Sequence, residues 1–495
     1  MDGNTIDPAK SIPLFYTGQS IFLTGATGFL GKVYIEKILR SCPDVQEIFL
    51  LMRSKKGLSL NERLEEMLNS PLYDKLREKQ PSNFKKLIPV SGDISKENLG
   101  LSAADRQMLA EKVTIIIHSA ATVKFNESLK HAILINTRPT RDICILAENM
   151  KNLIALVYIS TAYTQLNNSF IEEKAYPPIA DWRKMIKVAE SMDEYILNIF
   201  TTKCLDTIPN TYIFSKNLAE SIIQEYSSSL PCAIVRPSVV TFSLKDPIPG
   251  YIDSFNGPIG LLTAGGKGLL RVIYANKHTS QNDVPVDTVI NTIILVSWKL
   301  GLTIPSSTFI VNSTFPEKNI SFREFCDKGF RLLDEIPLEK VVWTPHTIFT
   351  ESFTKFYILT ILLHILPAVL IDLILKLLGR RPELVKLQRK IYVASHAVQH
   401  FTCNEWKFEN TNSQALMSLM PPDNREMFSI DLSNVDMKEY FRNGIIGIKK
   451  YLLYEDMNRL DAAKAHRKRV DHFVATFKTV IAIGMLWMMY KWILF

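Results

Sequence analysis

Short apolar runs alternate with longer amphipathic stretches over the first third of the chain. One run leads from Gln19 into a glycine-rich turn and a helical pattern, and further runs lie at 48–52, 87–90, 113–117 and 153–159. Buried parallel strands have this uninterrupted apolar character, and strands that alternate with helices predict a doubly wound, parallel α/β sheet of the Rossmann type. Pro89 weakens the third strand, because proline cannot donate to a β ladder.

Longer apolar segments lie near the C-terminus. Residues 356–371 are almost uncharged but shorter than the ~20 residues that cross a bilayer, so a buried core helix, an interfacial segment and a span all stay open. Residues 473–495 are long enough to cross, and Trp487, Tyr490 and Trp492 resemble an interfacial aromatic belt. The basic run at 464–469 favours a cytosolic catalytic part. We expect a C-terminal membrane anchor, with a span favoured over an in-plane arrangement.

The net charge and the cysteine content indicate which binding partners and which cellular compartment are expected. The 495 residues carry a formal net charge of +8, which suits an anionic lipid surface or a phosphate-rich ligand. Nucleic acid is disfavoured, because no nucleic-acid-binding motif accompanies the charge. The six cysteines are scattered without a close pair, which predicts reduced thiols in a cytosol-facing compartment. The polar first residues predict no secretory signal.

Residues 24–31 have the sequence Thr-Gly-Ala-Thr-Gly-Phe-Leu-Gly and lie between the first predicted strand and the first helix. Glycine permits a sharp turn and the close approach of a pyrophosphate, and a helix N-terminus offers free N–H groups. This context predicts a dinucleotide-binding turn over a purely structural one. The predicted contacts are Thr24, Gly25, Thr27, Gly28, Phe29, Leu30 and Gly31.

The end of the second predicted strand distinguishes NADP from NAD. An NAD site usually places an acid there, whereas the 2′-phosphate of NADP needs a cation. The strand is followed by Arg53, Lys55 and Lys56 and by no acid, so we expect NADP(H), the alternative being a solvated basic loop. Asp93, after the third strand, is a candidate either for the adenine edge or for capping a turn.

Tyr212 and Lys216 stand four residues apart, on one face of a predicted helix. A tyrosine can protonate a reduced carbonyl oxygen if a nearby lysine lowers its pKa. The pair follows the fifth strand, where this fold places its active-site helix. Thr161 and Ser160 end that strand and offer a hydroxyl to a developing oxyanion; alternation along the strand favours one of them, and Thr161 is the first choice. Tyr163 is not the predicted acid, because no lysine follows it at i+4.

His396 and His400 stand at i and i+4, and Cys403 follows them. This spacing is compatible with a metal site, but the glutamate of a zinc-protease motif is missing. Histidines on a helix surface are the favoured interpretation, and we expect no metal.

Several segments form an ordered series along nearly the whole chain. They are 24–32, 118–125 (His-Ser-Ala-Ala-Thr-Val-Lys-Phe), 160–163 (Ser-Thr-Ala-Tyr), 209–216 (Pro-Asn-Thr-Tyr-Ile-Phe-Ser-Lys), 235–238, 249–258, 283–287, 366–372, 406–410 and 447–454. The series resembles that of the alcohol-forming fatty acyl-CoA reductases, which are extended short-chain dehydrogenases/reductases related to plant male-sterility proteins. Residues 136–140 (Asn-Thr-Arg-Pro-Thr) depart from the usual Asn-Val-x-Gly-Thr, and 437–440 lack a tryptophan often seen in the family.

The resemblance implies two NADPH-dependent hydride transfers, which take a long-chain acyl-CoA through an aldehyde to a primary alcohol. Tyr212 is implied to protonate the oxyanion, Thr161 to orient it, and Lys216 to tune Tyr212 and hold the nicotinamide ribose. The expected cofactor contacts then also include Ile94, Ser119, Ala120, Ala121, Lys216, Pro237 and Val239. The expected partners are acyl-CoA and a membrane, of the endoplasmic reticulum or the peroxisome, and the choice between monomer and homodimer stays open.

The predicted organisation has four parts. An N-terminal extension at 1–15 precedes an extended Rossmann reductase domain at 16–349, a helical C-terminal domain at 350–462, and a basic run with a tail anchor at 463–495. Two alternatives to acyl-CoA reduction stay open. One is another membrane-associated extended reductase, acting on a sterol or other lipid carbonyl, and the other is a non-catalytic NADP- or lipid-binding scaffold.

Overall fold

The computed structural model describes residues 11–54, 57–303, 307–315 and 320–494. The chain divides into two compact units, each built from separate segments. The first takes Met1–Pro249, Asn282–Asn319 and Trp406–Val435, and the second takes Gly250–Gln281, Ile320–Glu405 and Asp436–Phe495. The two units interleave along the chain, whereas the sequence predicts linear domain boundaries, and those boundaries stay a prediction.

Seven strands of the described chain form one parallel sheet in the first unit. They are β1 (Ser20–Thr24), β2 (Glu47–Met52), β3 (Leu87–Ser91), β4 (Ile115–His118), β5 (Ala155–Ile159), β6 (Cys232–Pro237) and β7 (Phe309–Ser313). Their spatial order is β7-β6-β5-β4-β1-β2-β3. The order reverses between β1 and β4, and ligands of such sheets bind at the carboxyl ends of the strands beside this switch point. The predicted doubly wound sheet is confirmed.

β3 forms although it contains Pro89. It is the outermost strand and pairs with β2, where Leu50 lies opposite Pro89. An edge strand needs ladder hydrogen bonds on one side only, so a missing N–H is tolerated there.

The helices that flank the sheet are α1 (Phe29–Ser41), α2 (Arg138–Ala147), α3 (Thr211–Tyr226) and α4 (Val286–Leu302). α2 and α3 share a core with one face of the sheet, and α1 and α4 pack on each other. Other helices of this unit are Ile12–Phe15, Leu60–Leu68, Asp74–Lys79, Ala103–Lys112, Leu129–Ala132, Trp182–Ser191, Glu194–Leu205, Thr411–Leu419 and Arg425–Phe428. Its small parallel strand pairs are Val239–Thr241 with Asp283–Pro285, and Phe170–Ile171 with Lys407–Phe408.

One row of side chains crosses the sheet near its carboxyl edge. Thr24 lies opposite His118, His118 opposite Tyr158, and Tyr158 opposite Ile234. Because side chains alternate along each strand, the four residues face the same side of the sheet. Tyr158 and Ile234 belong to the core that α2 and α3 cover, so this row leads to the helix that carries Tyr212.

The second unit is mainly helical, as predicted for the C-terminal region. Its helices are Pro258–Gly266, Phe322–Glu335, Phe353–Thr360, Leu366–Leu377, Leu384–Cys403, Met437–Gly447 and Leu460–Leu494. Its strand pairs are Val272–Tyr274 with Ile348–Thr350, and Ser280–Gln281 with Ile320–Ser321.

The apolar segment predicted at 356–371 is longer than the sequence indicates. A π-helical turn at Ile361–Ile365 joins two helices into one continuous helix, Phe353–Leu377. Pro367 does not interrupt it, because it lies in the first turn after the π-helical segment, a position that suits proline. Phe353–Leu377 and Met457–Trp492 are both long and apolar enough to cross a membrane.

Candidate active site

The glycine-rich turn leaves the carboxyl end of β1 beside β4. Gly25 has φ +78°, and a Cβ there would lie 2.8 Å from the backbone nitrogen of Ala120. A Cβ on Gly31 would lie 2.3 Å from the carbonyl oxygen of Gly25. Glycine is therefore required at both positions, and α1 begins at Phe29 directly after the turn. The turn contains the residues predicted to contact a pyrophosphate, and that contact stays a prediction: Thr24, Gly25, Thr27, Gly28, Phe29, Leu30 and Gly31.

His118 fixes the loop opposite this turn, a role that the sequence did not indicate. Its Nδ1 lies 2.8 Å from Thr24 Oγ1, and its Nε2 lies 3.1 Å from Thr140 Oγ1. The backbone N–H of Ala120 also donates to Thr24 Oγ1, at 3.1 Å. Burial lowers the pKa of His118 to about 3, so the ring is neutral and acts through hydrogen bonds. The predicted contacts Ser119, Ala120 and Ala121 are thereby held beside the turn.

Two arginines lie where the sequence predicts a 2′-phosphate site. Arg53 is exposed after β2, and Arg63 donates to the carbonyl oxygen of Arg53. A second nitrogen of Arg63 donates to Thr27 Oγ1 at 3.4 Å, which ties it to the glycine-rich turn. The sequence prediction missed Arg63, which lies on the helix Leu60–Leu68, 10 residues after Arg53. The predicted Lys55 lies outside the described residues.

Asp93 caps its own turn. Its Oδ1 accepts hydrogen bonds from the backbone N–H of Ser95 at 2.9 Å and from Ser95 Oγ at 2.8 Å. This matches the second interpretation of Asp93, and the adenine contact stays a prediction. Ile94 is half-buried and packs against the core that α2 and α3 cover.

Tyr212 and Lys216 lie on successive turns of α3. The helix begins beside Asn210, whose side chain accepts from the N–H of Ile213 at 2.9 Å. Lys216 Nζ donates to the carbonyl oxygen of Ile159 at 2.6 Å and lies 4.7 Å from the ring centre of Tyr158. Burial lowers the pKa of Lys216 to about 7.

Burial raises the pKa of Tyr212 to about 12, and a hydrogen bond with Thr161 opposes that rise. This direction is the reverse of the lowering that the Tyr–Lys spacing predicts, and its main cause is burial of the phenol. Lys216 Nζ hydrogen-bonds the carbonyl oxygen of Ile159. Tyr212 is therefore protonated at neutral pH, which suits a proton donor.

The hydroxyls at the end of β5 differ in their partners. Thr161 is the one that hydrogen-bonds Tyr212, and its Oγ1 also accepts from the N–H of Tyr163 at 3.4 Å. Ser160 Oγ is buried and has no partner within the described residues. The structure thus brings Thr161, the first choice, to the predicted acid.

Asn136 connects α3 to the loop after β4. Its side-chain nitrogen donates to Ser215 Oγ at 2.9 Å and to the carbonyl oxygen of Thr122 at 3.1 Å. Its side-chain oxygen accepts from the N–H of Thr122 at 2.8 Å. Asn136 lies in a π-helical turn, Ile133–Thr137, which accommodates Pro139 at the start of α2 and explains the unusual sequence there. The sequence prediction missed this positioning role.

Buried polar atoms without partners in the described chain gather where β5, β6 and β7 end. They include the hydroxyls of Ser160, Ser238 and Thr314 and both carboxylate oxygens of Asp283. Asp283 lies opposite Val239 in a short strand pair, next to the predicted contacts Pro237 and Val239. Burial raises the pKa of Asp283 to about 7. Because buried polar groups normally have partners, this edge of the sheet suits a polar ligand.

Comparison with known proteins identifies the family. Two family profiles, both described as male sterility protein, match residues 23–293 and 363–455. Fatty acyl-CoA reductase 1 of Rattus norvegicus is 38% identical over 485 residues, covering 96% of this chain and 93% of the relative. The chain belongs to the fatty acyl-CoA reductase family. Fatty acyl-CoA reductase 1 of Homo sapiens is 38% identical with the same coverage, and fatty acyl-CoA reductase 2 of Mus musculus is 37% identical over 95% of this chain and 92% of the relative.

Solved structures support the same fold for this fatty acyl-CoA reductase family member. The terminal R domain of the myxalamid PKS-NRPS pathway has a TM-score of 0.56 at 18% identity, covering 89% of this chain and 93% of the other. The reductase domain of a nonribosomal peptide synthetase from Mycobacterium tuberculosis has a TM-score of 0.54 at 18% identity, with 90% and 96% coverage. The family resemblance and the extended Rossmann fold predicted from the sequence are confirmed.

Proposed function

We propose that this protein is an alcohol-forming reductase of long-chain fatty acyl-CoA that uses NADPH. The observation that supports this most strongly is that Thr161 lies close enough to Tyr212 to oppose the rise in its pKa, at the carboxyl edge of the sheet that also holds the glycine-rich turn. Family membership over 96% of the chain supports the same chemistry.

The chain's own residues can carry out the proton chemistry. The glycine-rich turn and Lys216 would hold a bound NADPH, which would supply the hydride. Thr161 and Tyr212 both present hydroxyls to a carbonyl oxygen, so negative charge that develops there is stabilised, and Tyr212 donates its proton to that oxygen. The first reduction yields a hemithioacetal that releases coenzyme A and leaves an aldehyde. The second reduces the aldehyde to the alcohol, so two NADPH are used per acyl chain.

The preference for NADPH is supported by positive charge beside the turn. Arg53 follows β2 directly, and Arg63 donates both to the carbonyl oxygen of Arg53 and to Thr27 Oγ1. No acid stands directly after the strand. Guanidinium groups bind phosphate through charge-assisted hydrogen bonds, whereas an NAD site presents a carboxylate to the ribose.

We infer membrane attachment from the terminal helix, Leu460–Leu494. Side chains between 475 and 492 are exposed apart from Gly484, and they are largely apolar. A bilayer is the solvent that such a helix requires. The basic residues before it favour a cytosolic catalytic part, on the endoplasmic reticulum or the peroxisome.

The test is product analysis by gas chromatography from purified, detergent-solubilised protein given NADPH or NADH and acyl-CoAs of increasing length. We expect primary alcohol, two NADPH oxidised per alcohol formed, and little turnover with NADH. Free aldehyde as the only product would show that the second reduction is absent. NADPH binding without turnover of any thioester would overturn the proposal in favour of another extended reductase or a scaffold.

A further inference from the structure

In the helix Phe353–Leu377, here called the outer helix, polar side chains face the protein and apolar side chains face outward. A surface helix of a soluble protein has the reverse arrangement. Its buried positions follow one another at intervals of four residues and include polar side chains: Phe356, Thr360, His364, Ala368 and Asp372. Its exposed positions are nearly all large and apolar: Phe353, Tyr357, Ile358, Ile361, Leu362, Leu366, Val369, Leu370, Ile371, Leu373, Ile374 and Leu377. An amphipathic helix in water shows the opposite arrangement, so the outward face is suited to hydrocarbon.

Polar contacts fasten the outer helix to its own unit along most of its length. His364 Nε2 accepts from the backbone N–H of Arg271 at 2.8 Å. Asp372 accepts from the backbone N–H groups at the start of the following helix, Leu384–Cys403, at 2.9 to 3.1 Å. Phe356 stacks on Tyr392 of that helix, with ring centres 5.9 Å apart.

These contacts argue against an outer helix that crosses the membrane. The helix Leu384–Cys403 exposes Lys386, Arg389 and Lys390. If the outer helix crossed the bilayer, this charged neighbour would be drawn into hydrocarbon with it, where each uncompensated charge is strongly unfavourable. An in-plane position places only the outward face in lipid.

The terminal helix leaves the same unit close to the outer helix. Arg271 contacts the carbonyl oxygen of Leu363 and lies 4.6 Å from the ring centre of Trp343. The ring of Trp343 lies 5.9 Å from that of Phe477 on the terminal helix. Thr344 Oγ1 donates to Asp471 at 2.6 Å, and the side chains from 478 to 492 are exposed apart from Gly484. The exposed apolar stretch of the terminal helix thus begins beside the middle of the outer helix.

We propose that the outer helix lies in the plane of the membrane, with its outward face in the leaflet that the terminal helix enters. This inference rests on the proposed membrane attachment and adds a second lipid contact that orients the second unit. Exposed Lys376, Arg380 and Arg381 at the end of the outer helix suit anionic headgroups.

Depth-dependent fluorescence quenching tests the proposal on the full chain in vesicles of phosphatidylcholine and phosphatidylserine. In a background of Cys204→Ser and Cys403→Ser, a fluorophore is attached through Ile358→Cys, Leu366→Cys or Ile374→Cys, which are about half exposed. The lipids carry a nitroxide either near the headgroup or deep in the acyl chain. Met485→Cys on the terminal helix is the positive control, and Ile199→Cys, an exposed apolar position of the first unit, is the negative control.

In-plane binding predicts that all three outer-helix positions lose fluorescence to a similar extent, more with the shallow nitroxide than with the deep one. Deep quenching at position 366 with shallow quenching at 358 and 374 would show a span and overturn the proposal. Quenching at 485 with none on the outer helix would also overturn it, and would leave membrane attachment intact. The labels are also exposed to a quencher dissolved in the water. If neither this quencher nor the lipid nitroxides reduce the fluorescence of the three outer-helix labels, the proposal is overturned in favour of a second copy of the chain on this face. Absence of quenching at 485 as well would reject the membrane attachment itself.

Discussion

The ammonium group of Lys216 donates a 2.6 Å hydrogen bond to the carbonyl oxygen of Ile159, the last residue of β5. Tyr212 stands one turn earlier on α3, and Thr161 stands two residues after Ile159. This bond therefore ties together the two elements that carry the proposed proton donor and its partner hydroxyl. We therefore expect Lys216 to act on the geometry of the site, in addition to any contact with the cofactor.

Replacement of Lys216 by Met tests this link. The variant loses the bond to Ile159 and leaves a buried carbonyl unpaired, so we expect a loss of about 1–3 kcal/mol in the free energy of unfolding. We expect kcat to fall by about 10²- to 10⁴-fold, as for the loss of a group that supports acid catalysis. Stopped-flow NADPH oxidation and thermal unfolding measure the two effects. Lys187→Met, at an exposed position, is the control, and a kcat within threefold of the parent would contradict the role of Lys216.

Arg63 offers a test of cofactor preference. Arg63→Gln removes a guanidinium that contacts the glycine-rich turn through Thr27. We expect the Kd for NADPH to rise about tenfold or more, since a hydrogen bond to a charged group contributes about 1.5–3 kcal/mol, while the Kd for NADH stays unchanged. Titration of cofactor fluorescence gives both constants. Arg77→Gln, on the exposed helix Asp74–Lys79, should change neither, and an equal loss for both cofactors would show that Arg63 acts only on the fold.

Asp283 should make stability depend on pH. Its folded pKa, about 7, lies above the ordinary value, so the folded chain binds the proton more tightly, and stability falls as pH rises from about 4 to about 7. Above that range the parent must bury an unpaired carboxylate. We therefore expect Asp283→Asn to raise Tm relative to the parent at about pH 8, equivalent to about 1–3 kcal/mol, and to raise it much less near pH 5.

A neighbouring carboxylate serves as the control for Asp283. Asp287 accepts hydrogen bonds from the backbone N–H groups of Leu244, Lys245 and Asp246, at 2.7 to 3.0 Å. Asp287→Asn places an amide donor against those donors and should lower Tm at both pH values. A Tm difference between Asp283→Asn and the parent that does not vary with pH would contradict the account of Asp283.

Asn136 is expected to position α3 rather than to contact substrate. Asn136→Ala removes the bridge between Ser215 and Thr122, and a displacement of about 1 Å at an active site can cost about 10²-fold in rate. We expect kcat to fall by that order while KM for acyl-CoA changes by less than about threefold. Asn149→Ala, at an exposed residue just after α2, is the control. A rise in KM at constant kcat would assign Asn136 to binding instead.

The sequence predicts those parts of the site that are local in the chain. The glycine-rich turn needs only a strand, three glycines and a helix in succession, and Tyr212 and Lys216 are one helical turn apart. Local patterns do not predict Arg63, His118 and Asp283, because the order of the strands and the packing of loops bring them to the site.

Sequence patterns also do not show how a side chain is oriented or which face of a helix is buried. The pKa of Tyr212 and the exposed face of the outer helix both depend on this. The Tyr–Lys spacing does not reveal that Lys216 turns toward Ile159, and burial then raises the pKa of Tyr212. The apolar pattern of the outer helix does not reveal which side packs on protein, so its exposed apolar face emerges only from the fold.

Tyr212→Phe tests most directly whether Tyr212 delivers the proton in acyl-CoA reduction. Tyr226→Phe, which removes a hydroxyl from the far end of the same helix, is the matched control. Alcohol formation from acyl-CoA is measured beside the Kd for NADPH. We predict that Tyr212→Phe binds NADPH as the parent does but forms alcohol about 10²- to 10⁴-fold more slowly, while Tyr226→Phe retains parental turnover. Parental alcohol formation by Tyr212→Phe would contradict the assignment of the proton donor.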